Sequence, residues 1–256
     1  MKITSKSPYE ERRVSALKSY DILDTNPESD FDDVTLMATQ ICDTPIAFIS
    51  LLDEDRQWFK SSQGAEITST QRNGSICDIA IKTPNEVTVI EDAREDDKFY
   101  NNSFVKPPYN LVFYASAPLL TPEGLPIGTI CVLDKKPKKL STKQKNALKA
   151  LSRQVMSALE IRKNKKELEQ SLKALVYKNS ALEGFTDNSV NDMRSPLSTI
   201  SLISELTRKK YSGALNEKDT EYLSIIEKST KQVINMLNDI KEFHGNLDLI
   251  IHKRES

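Results

Sequence analysis

The chain has 256 residues, of which 36 are basic and 37 acidic, and its formal net charge is -1. This length allows about two domains, and the balanced charge predicts neither a nucleic acid nor a membrane as a partner. No apolar run reaches the ~20 residues of a membrane helix, and the first residues lack the apolar core of a signal peptide, so we expect a cytoplasmic protein.

The first part of the chain predicts a mixed domain of helices and strands. Apolar residues at helical spacing predict helices over 8–21 and 30–41. Strand-like runs at 45–52 and 57–62 are joined by a polar turn and predict a hairpin. Further strands are predicted over 87–90, 113–119 and 128–133. The expected fold is an antiparallel sheet with flanking helices, in the α+β class.

Three separated motifs in this part resemble a known family. They are Tyr-Asp-Ile-Leu-Asp-Thr at 20–25, the hairpin sequence at 52–60, and the stretch from Ala-Pro-Leu at 117 to Asp134. Together they resemble a GAF domain of the bacterial subtype that precedes histidine kinases or diguanylate cyclases. The resemblance covers about 8–162, and we assign residues 1–162 to a GAF sensor domain. Members of that family bind cyclic nucleotides, tetrapyrroles, small metabolites or nothing, so the ligand stays open.

The residues argue against some ligands. A covalent bilin requires a reachable cysteine, commonly followed by histidine in the GAF families that use one. Cys77 is followed by aspartate, and both histidines, His244 and His252, lie far downstream. We therefore predict no cofactor. The candidates for contact with an unidentified small molecule are Phe113, Tyr114 and Cys77, and core packing is the alternative role of the two aromatic residues. The three cysteines have no C-x-x-C spacing, which predicts reduced thiols and no metal site.

After residue 140 the pattern changes to long helices. Ser141 or Thr142 is expected to cap the first of them. Leu168, Leu172, Leu175 and Leu182 are spaced by four, three and seven residues, which is the pattern of a coiled coil. We therefore assign 163–184 to a coiled-coil signalling helix. The basic residues at 162–166 are interpreted as a solvated helix face.

The sequence from Asn191 to Leu197, Asn-Asp-Met-Arg-Ser-Pro-Leu, resembles the phosphoacceptor box of histidine kinases, with asparagine in place of histidine. Apolar residues continue along this helix, and a second helix is predicted over 217–249. Residues 185–256 therefore resemble a HisKA-type dimerisation and phosphotransfer hairpin, which implies a parallel homodimer with a four-helix bundle. The carboxamide nitrogen of asparagine is not a usable nucleophile, so we assign no catalytic residue with certainty.

The resemblance also implies surfaces for partners. Response regulators dock on such bundles below the acceptor residue, which here corresponds to Ser198, Ser201, Leu202 and Glu205. Asp192 and Ser195 occupy the positions of the acidic and water-orienting residues that act when such kinases dephosphorylate their regulators. The plain alternative is that both persist from a kinase ancestor, or that Ser195 caps the bend at Pro196.

Two interpretations of function remain at this point. Only seven residues follow Leu249 and no G-x-G occurs, so we expect this chain not to bind ATP in the manner of the kinases. In the first interpretation it is a GAF-sensing pseudo-histidine-kinase that dimerises and docks response regulators or a partner kinase. In the second it is a response-regulator phosphatase, or a fragment or acceptor-site mutant of a genuine sensor histidine kinase.

Overall fold

A computed structural model describes residues 7–84 and 86–252, with side chains described through residue 241 except at 183, 186 and 187. The predicted domain limits at residues 1 and 256 lie outside the described residues. The chain divides into two compact units, Met1–Leu168 and Glu169–Ser256. None of the helices that the structure describes combines the length and apolarity needed to cross a bilayer.

The first unit is built around one antiparallel sheet. Helices α1 (Pro8–Ser19) and α2 (Ser29–Cys42) precede strands β1 (Ile46–Leu52), β2 (Arg56–Gln63) and β3 (Ser69–Gln71). Helix α3 (Ile76–Ala80) is followed by β4 (Thr88–Ile90), β5 (Phe113–Leu120) and β6 (Pro126–Asp134). In space the strand order is β3-β2-β1-β6-β5-β4, and each neighbouring pair is antiparallel. This confirms the predicted α+β architecture, to which the structure adds the short elements β3 and α3.

Alternation along the central strands gives the sheet two apolar faces. The first face packs against α1, α2 and the beginning of helix α4 (Thr142–Lys210), and its core includes Phe113, Ile130 and Leu148. The second face lies under α3 and the segment between β4 and β5, and its core includes Phe48, Tyr114 and Cys131. Both faces are therefore covered, as expected for strands that read as nearly continuous apolar runs.

A β-bulge changes the register between β1 and β2. Ile49 pairs with Ser61 and Ser50 pairs with Phe59, so that Lys60 has no partner in the ladder. The Lys60 side chain is fully buried, and its Nζ donates to Glu28 Oε1 and Asn26 O, both at 2.6 Å. The bulge thus turns a lysine toward the α1–α2 connection, where its charge is paired.

Helix α4 begins with a reciprocal cap. The backbone N–H of Gln144 donates to Ser141 Oγ at 3.3 Å, and the backbone N–H of Ser141 donates to the side-chain Oε1 of Gln144 at 2.9 Å. Ser141 is thus the cap, as one of the two predicted candidates.

The basic stretch of α4 differs from the prediction of a solvated face. Arg162 Nη1 donates to the Asp21 carbonyl at 2.9 Å, and its Nε donates to Glu28 Oε1 at 3.2 Å. The Nζ atom of Lys163 lies 5.4 Å from the ring centroid of Tyr20, and Lys166 forms an ion pair with Asp21. We call these contacts the helix anchor. Sequence periodicity does not show it because the partners lie about 140 residues earlier.

The second unit contains a helical hairpin formed by the last part of α4 and by α5 (Glu217–His252). The two helices are joined by a turn at 211–214, and Asn216 Oδ1 caps α5 by accepting from the Asp219 amide at 2.8 Å. Ser204 Oγ donates to the Leu223 carbonyl at 3.3 Å, and Arg208 Nε pairs with Glu227 at 3.1 Å. Helix α4 is continuous through Pro196. The structure thus has the long helix and the hairpin that the sequence predicts.

Candidate functional site

The second face of the sheet borders a cavity of about 270 Å³. Its walls come from β1, β2, β5 and β6, from α3, and from the segments at 65–67 and 104–111. The wall is largely aromatic and aliphatic, with rings from Phe48, Phe59, Phe104, Tyr109 and Tyr114. A concave, mostly apolar site with few polar groups is the usual form of a small-molecule site, so this is the strongest candidate in the first unit.

The polar groups of the cavity are concentrated around the thiol of Cys77, on α3. Gln57 Nε2 donates to Cys77 Sγ at 3.3 Å, and the Tyr114 hydroxyl lies 3.2 Å from the same sulfur. The Cys131 thiol, from β6, also hydrogen bonds with Cys77. Gln57 Oε1 is buried and has no hydrogen-bond partner among the described residues. The floor of the cavity therefore consists of hydrogen-bonding side chains that surround the Cys77 thiol.

These contacts determine the protonation of the floor. The hydrogen bond from Cys131, assisted by the Tyr114 hydroxyl, lowers the pKa of the Cys77 thiol, although burial opposes the shift. The same thiol–thiol hydrogen bond, together with burial, raises the pKa of Cys131 well above its usual range. Burial also raises the pKa of Tyr114, so this side chain is a neutral phenol at physiological pH.

The three residues predicted to contact a ligand are not all at this cavity. Cys77 and Tyr114 line it. Phe113 is fully buried in the core of the opposite sheet face, against the helices, because successive residues of a strand point to opposite sides. Sequence reasoning did not select Gln57, Phe48 or Phe59, because alternation along the hairpin does not show which of its faces lies on the same side of the sheet as Tyr114.

The second candidate surface lies on the hairpin, around the degenerate phosphoacceptor position. Asn191, Ser195, Ser198 and Leu202 follow one another at intervals of four, three and four residues, which places them on one face of α4. All four are exposed, and the Leu202 side chain is 56% exposed. Asp192 is exposed as well, three residues before Ser195. The helix thus presents these five residues to solvent together.

The other two predicted docking residues lie nearer to α5 of the same hairpin. Ser201 and Glu205 are half-buried. Glu205 pairs with Lys209 at 2.7 Å, and the hydrogen bond from Lys209 lowers the pKa of the glutamate. These residues therefore border the exposed face that begins at Asn191 and do not form its centre.

A separate apolar stripe runs along both helices of the hairpin. On α4 it includes Met193, Ile200, Ile203 and Leu206, which are 47–58% exposed. On α5 it consists of Tyr222, Ile226, Val233, Met236 and Ile240, which are 40–61% exposed. The residues that face the other helix of the hairpin, such as Val190 and Leu237, are buried. Each helix therefore carries one buried face and one uncovered apolar face.

Comparison with protein families identifies both parts of the chain. The model of the GAF domain matches residues 28–160, which are 133 of the chain's 256 residues. The chain belongs to the GAF family. The model of the His Kinase A (phospho-acceptor) domain, HisKA, matches residues 181–244. A GAF domain followed by a HisKA domain indicates a two-component signalling protein, and the cavity described above lies within the GAF domain.

Individual relatives cover the chain only in part. A cyclic di-GMP phosphodiesterase of Pseudomonas aeruginosa is 38% identical over 129 residues, which are 50% of this chain and 22% of that protein. The chain thus spans about a fifth of the length of this curated relative.

Among solved structures, the GAF domain of an Acinetobacter phosphoenolpyruvate-protein phosphotransferase is 18% identical, with a TM-score of 0.42. The match covers 60% of this chain and 95% of that one. A blue-light absorbing GAF domain of Thermosynechococcus elongatus is 9% identical, with a TM-score of 0.45, and covers 68% and 98% of the two chains. At these values neither structure bears on the ligand or the activity of this chain.

Proposed function

We propose that this chain is a cytoplasmic pseudo-histidine-kinase in which the GAF domain senses a small molecule and the HisKA hairpin docks response regulators or a partner kinase. The observation that carries the proposal is the exposed face that begins at Asn191. It keeps the surroundings of a phosphoacceptor while the acceptor itself is a carboxamide, which is not nucleophilic. Such a surface can bind a receiver domain by its shape and charge but cannot transfer a phosphoryl group to it.

The uncovered apolar stripe supports a homodimer as the working form. Large apolar patches on soluble proteins are usually covered by a partner. On α5 the stripe residues Ile226, Val233 and Ile240 recur every seven residues. Tyr222 lies four residues before Ile226, and Met236 lies three residues after Val233. This spacing suits a bundle of parallel helices from two copies. We therefore propose a four-helix bundle formed by two hairpins, with the Asn191 face outside the seam.

The docking proposal is tested with the full chain and a panel of receiver domains from the same genome. We expect micromolar affinity, on the order of -8 kcal/mol, because signalling interfaces of this kind are small and transient. Leu202→Arg should weaken binding by placing a charge in the contact. Leu36→Arg changes a leucine of the GAF domain that is 41% exposed and serves as the matched control. If no receiver binds, the hairpin does not dock regulators.

A second function, regulator dephosphorylation, is favoured by the exposure of Asp192 and Ser195 on neighbouring turns of one helix. An acidic group and a hydroxyl at this separation are suited to orient a water for in-line attack on a phosphorylated receiver. Asp192→Ala and Ser195→Ala should then prolong the lifetime of the phosphorylated receiver while its affinity stays the same. Binding with an unchanged phosphate lifetime in both variants would refute the phosphatase and leave the docking proposal intact.

A further inference from the structure

Cys77 and Cys131 are two thiols of the GAF domain that lie far apart in sequence and come together in the fold. Helix α3 places Cys77 over the second face of the sheet, and β6 contributes Cys131 to the same face. The two side chains share a thiol–thiol hydrogen bond, and both are free cysteines. The third cysteine, Cys42, lies in the core of the opposite face. The sheet thus separates one cysteine from two that are already in contact.

The strand register shows that Cys77 lies over the middle of the sheet. Ser50 of β1 pairs with Thr129 of β6, and Cys131 is the next residue of β6 on the same face. The hydroxyls of Thr129 and Ser50 act on the Cys77 thiol in the same direction as Cys131, and the Tyr114 hydroxyl lies 3.2 Å from its sulfur. Hydrogen-bond donors around one sulfur favour its charged form. Three strands therefore contribute groups that stabilise a thiolate at Cys77.

This environment gives the two thiols different chemical roles. The hydrogen bond with Cys131 and the neighbouring hydroxyls lower the pKa of Cys77, although burial opposes the shift. The hydrogen bond with Cys77, together with burial, raises the pKa of Cys131 well above its usual range. The thiolate is the nucleophilic form of cysteine, and a sulfenic acid condenses readily with a neighbouring thiol. Cys77 is thus placed to react first with an oxidant, and Cys131 to react second.

The cavity determines which oxidants reach the pair. Both cysteines line it, and the exposed residues Glu66 and Lys135 in its wall show that it opens to solvent. Cys77 is 3% exposed and Cys131 is 1% exposed, so a large reagent does not meet either sulfur at the protein surface. Hydrogen peroxide is little larger than water, which occupies about 30 Å³, and it fits a cavity of about 270 Å³. A bulky oxidant such as oxidised glutathione is excluded at this depth.

We propose that Cys77 and Cys131 form a modification site at which hydrogen peroxide produces an intramolecular disulfide. The Cys77 sulfur attacks one peroxide oxygen, the O–O bond breaks, and the hydroxide that leaves becomes water with the proton of the Cys77 thiol. The Cys131 sulfur then attacks the sulfenic acid, the S–O bond breaks, and a second water leaves with the Cys131 proton. Two thiols are oxidised to one disulfide, and one peroxide is reduced to two waters. This site goes beyond the proposed function, because it requires neither a noncovalent ligand nor a receiver domain.

Mass spectrometry of the full chain tests the site. The chain is treated with a small molar excess of hydrogen peroxide, the remaining thiols are alkylated after denaturation, and the peptides are mapped without reduction. We expect a product lighter by two hydrogen atoms, with a peptide that links Cys77 to Cys131 and with Cys42 alkylated. Cys77 should be oxidised at least about tenfold faster than Cys42, whose pKa is raised by burial. Oxidised glutathione at the same concentration should give no disulfide.

Several results would overturn the proposal. These are the absence of the linked peptide, a link to Cys42 or between two copies in comparable yield, and oxidation of Cys77 to a sulfinic acid while Cys131 stays reduced. A disulfide that forms equally fast with oxidised glutathione would overturn the assignment to a small peroxide, because it would show that the cavity does not select the oxidant.

Single variants separate the roles of the two sulfurs. Cys131→Ser lacks the second sulfur, so the sulfenic acid of Cys77 should accumulate and be trapped by dimedone during denaturation. In Cys77→Ser, Cys131 should stay reduced under the same conditions. Cys42→Ser is the matched control and should form the disulfide like the unchanged chain. Dimedone on Cys131 of Cys77→Ser, and none on Cys77 of Cys131→Ser, would contradict the assigned order. If a serine variant does not fold, the linked peptide of the unchanged chain still decides the question.

Discussion

A charge placed in the apolar stripe of the hairpin should convert the proposed dimer into monomers. Ile226 is 41% exposed within one chain. Fully burying an isoleucine side chain contributes about 1.5–3 kcal/mol, so covering the remaining part contributes about 1 kcal/mol per copy. A twofold-symmetric interface contains this residue twice, which doubles the contribution to about 2 kcal/mol. Ile226→Asp therefore removes this contribution and also buries two unpaired carboxylates.

The carboxylates dominate the expected effect. Each unpaired charge in a low-dielectric core costs several kcal/mol after relaxation. Taking only ~1 kcal/mol for each, the total loss is at least about 4 kcal/mol, or roughly a thousandfold in the dissociation constant. Light scattering at micromolar concentration should then give a mass near one chain, 28.9 kDa, for Ile226→Asp.

The matched control is Asn235→Asp, which adds the same charge to an exposed position of α5 outside the stripe. This variant should remain dimeric. The reasoning is refuted if the unchanged chain already has the mass of one copy, or if Ile226→Asp keeps the mass of two. Dissociation of both variants would show that net charge, and not burial of the stripe, determines assembly.

Three further predictions concern phosphate chemistry and the stability of the GAF domain. The chain should gain no acid-labile, base-stable label from ATP and an active kinase ATP-binding domain supplied in trans, whereas Asn191→His should gain it. Label on the unchanged chain would contradict this. Lys60→Met should lower the free energy of unfolding of the GAF domain by about 2 kcal/mol, because it leaves Glu28 and the Asn26 carbonyl without the buried ammonium. Lys82→Met, at a side chain 69% exposed, should change it by less than about 0.5 kcal/mol in the same denaturant titration, and equal losses would refute the assigned role of Lys60. Burial raises the pKa of Glu10, but Arg13 and Arg72 outweigh it and lower that pKa from 4.5 to about 2. The stabilisation of the folded GAF domain by the ion pairs of Glu10 is thus present above about pH 4.5 and is lost as the pH falls toward 2. The melting temperature of Glu10→Gln should therefore fall less steeply over this range than that of the unchanged chain. Parallel curves for the two proteins would show that Glu10 is not responsible.

Long, regular elements were predictable from the sequence because their signals are local. The strand predicted over 113–119 is β5, Phe113–Leu120, and the helix predicted over 30–41 is α2, Ser29–Cys42. Among the short elements, β4 was predicted from its apolar residues, whereas β3 is entirely polar and α3 has only five residues, too few to show a helical period. Helix α3 nevertheless carries Cys77, so the missing element was one that positions the site.

The cavity was predicted only in part, for a geometric reason. Phe113 and Tyr114 are adjacent in a strand, so only one of them could face the ligand, and the sequence does not indicate which side of the sheet holds the cavity. Gln57 was missed because a polar residue in a hairpin strand ordinarily faces solvent. In the structure it is buried beneath α3, a contact that depends on chain segments 20 residues apart.

The two faces of the GAF sheet suggest how occupancy of the cavity is connected to helix α4. Strand β6 places Cys131 on the cavity side and Ile130 and Val132 on the side that packs against the helices. A ligand on one face and the beginning of α4 on the other therefore share the same strand as a wall. Tightly packed walls transmit small shifts because they have little free volume to absorb them. The helix anchor adds a second constraint, since Arg162 binds the Asp21 carbonyl and Glu28, and Glu28 also pairs with Lys60 of β2. Strand β2 thus borders the cavity through Phe59 and contacts the helix anchor through Lys60, the next residue of the same strand.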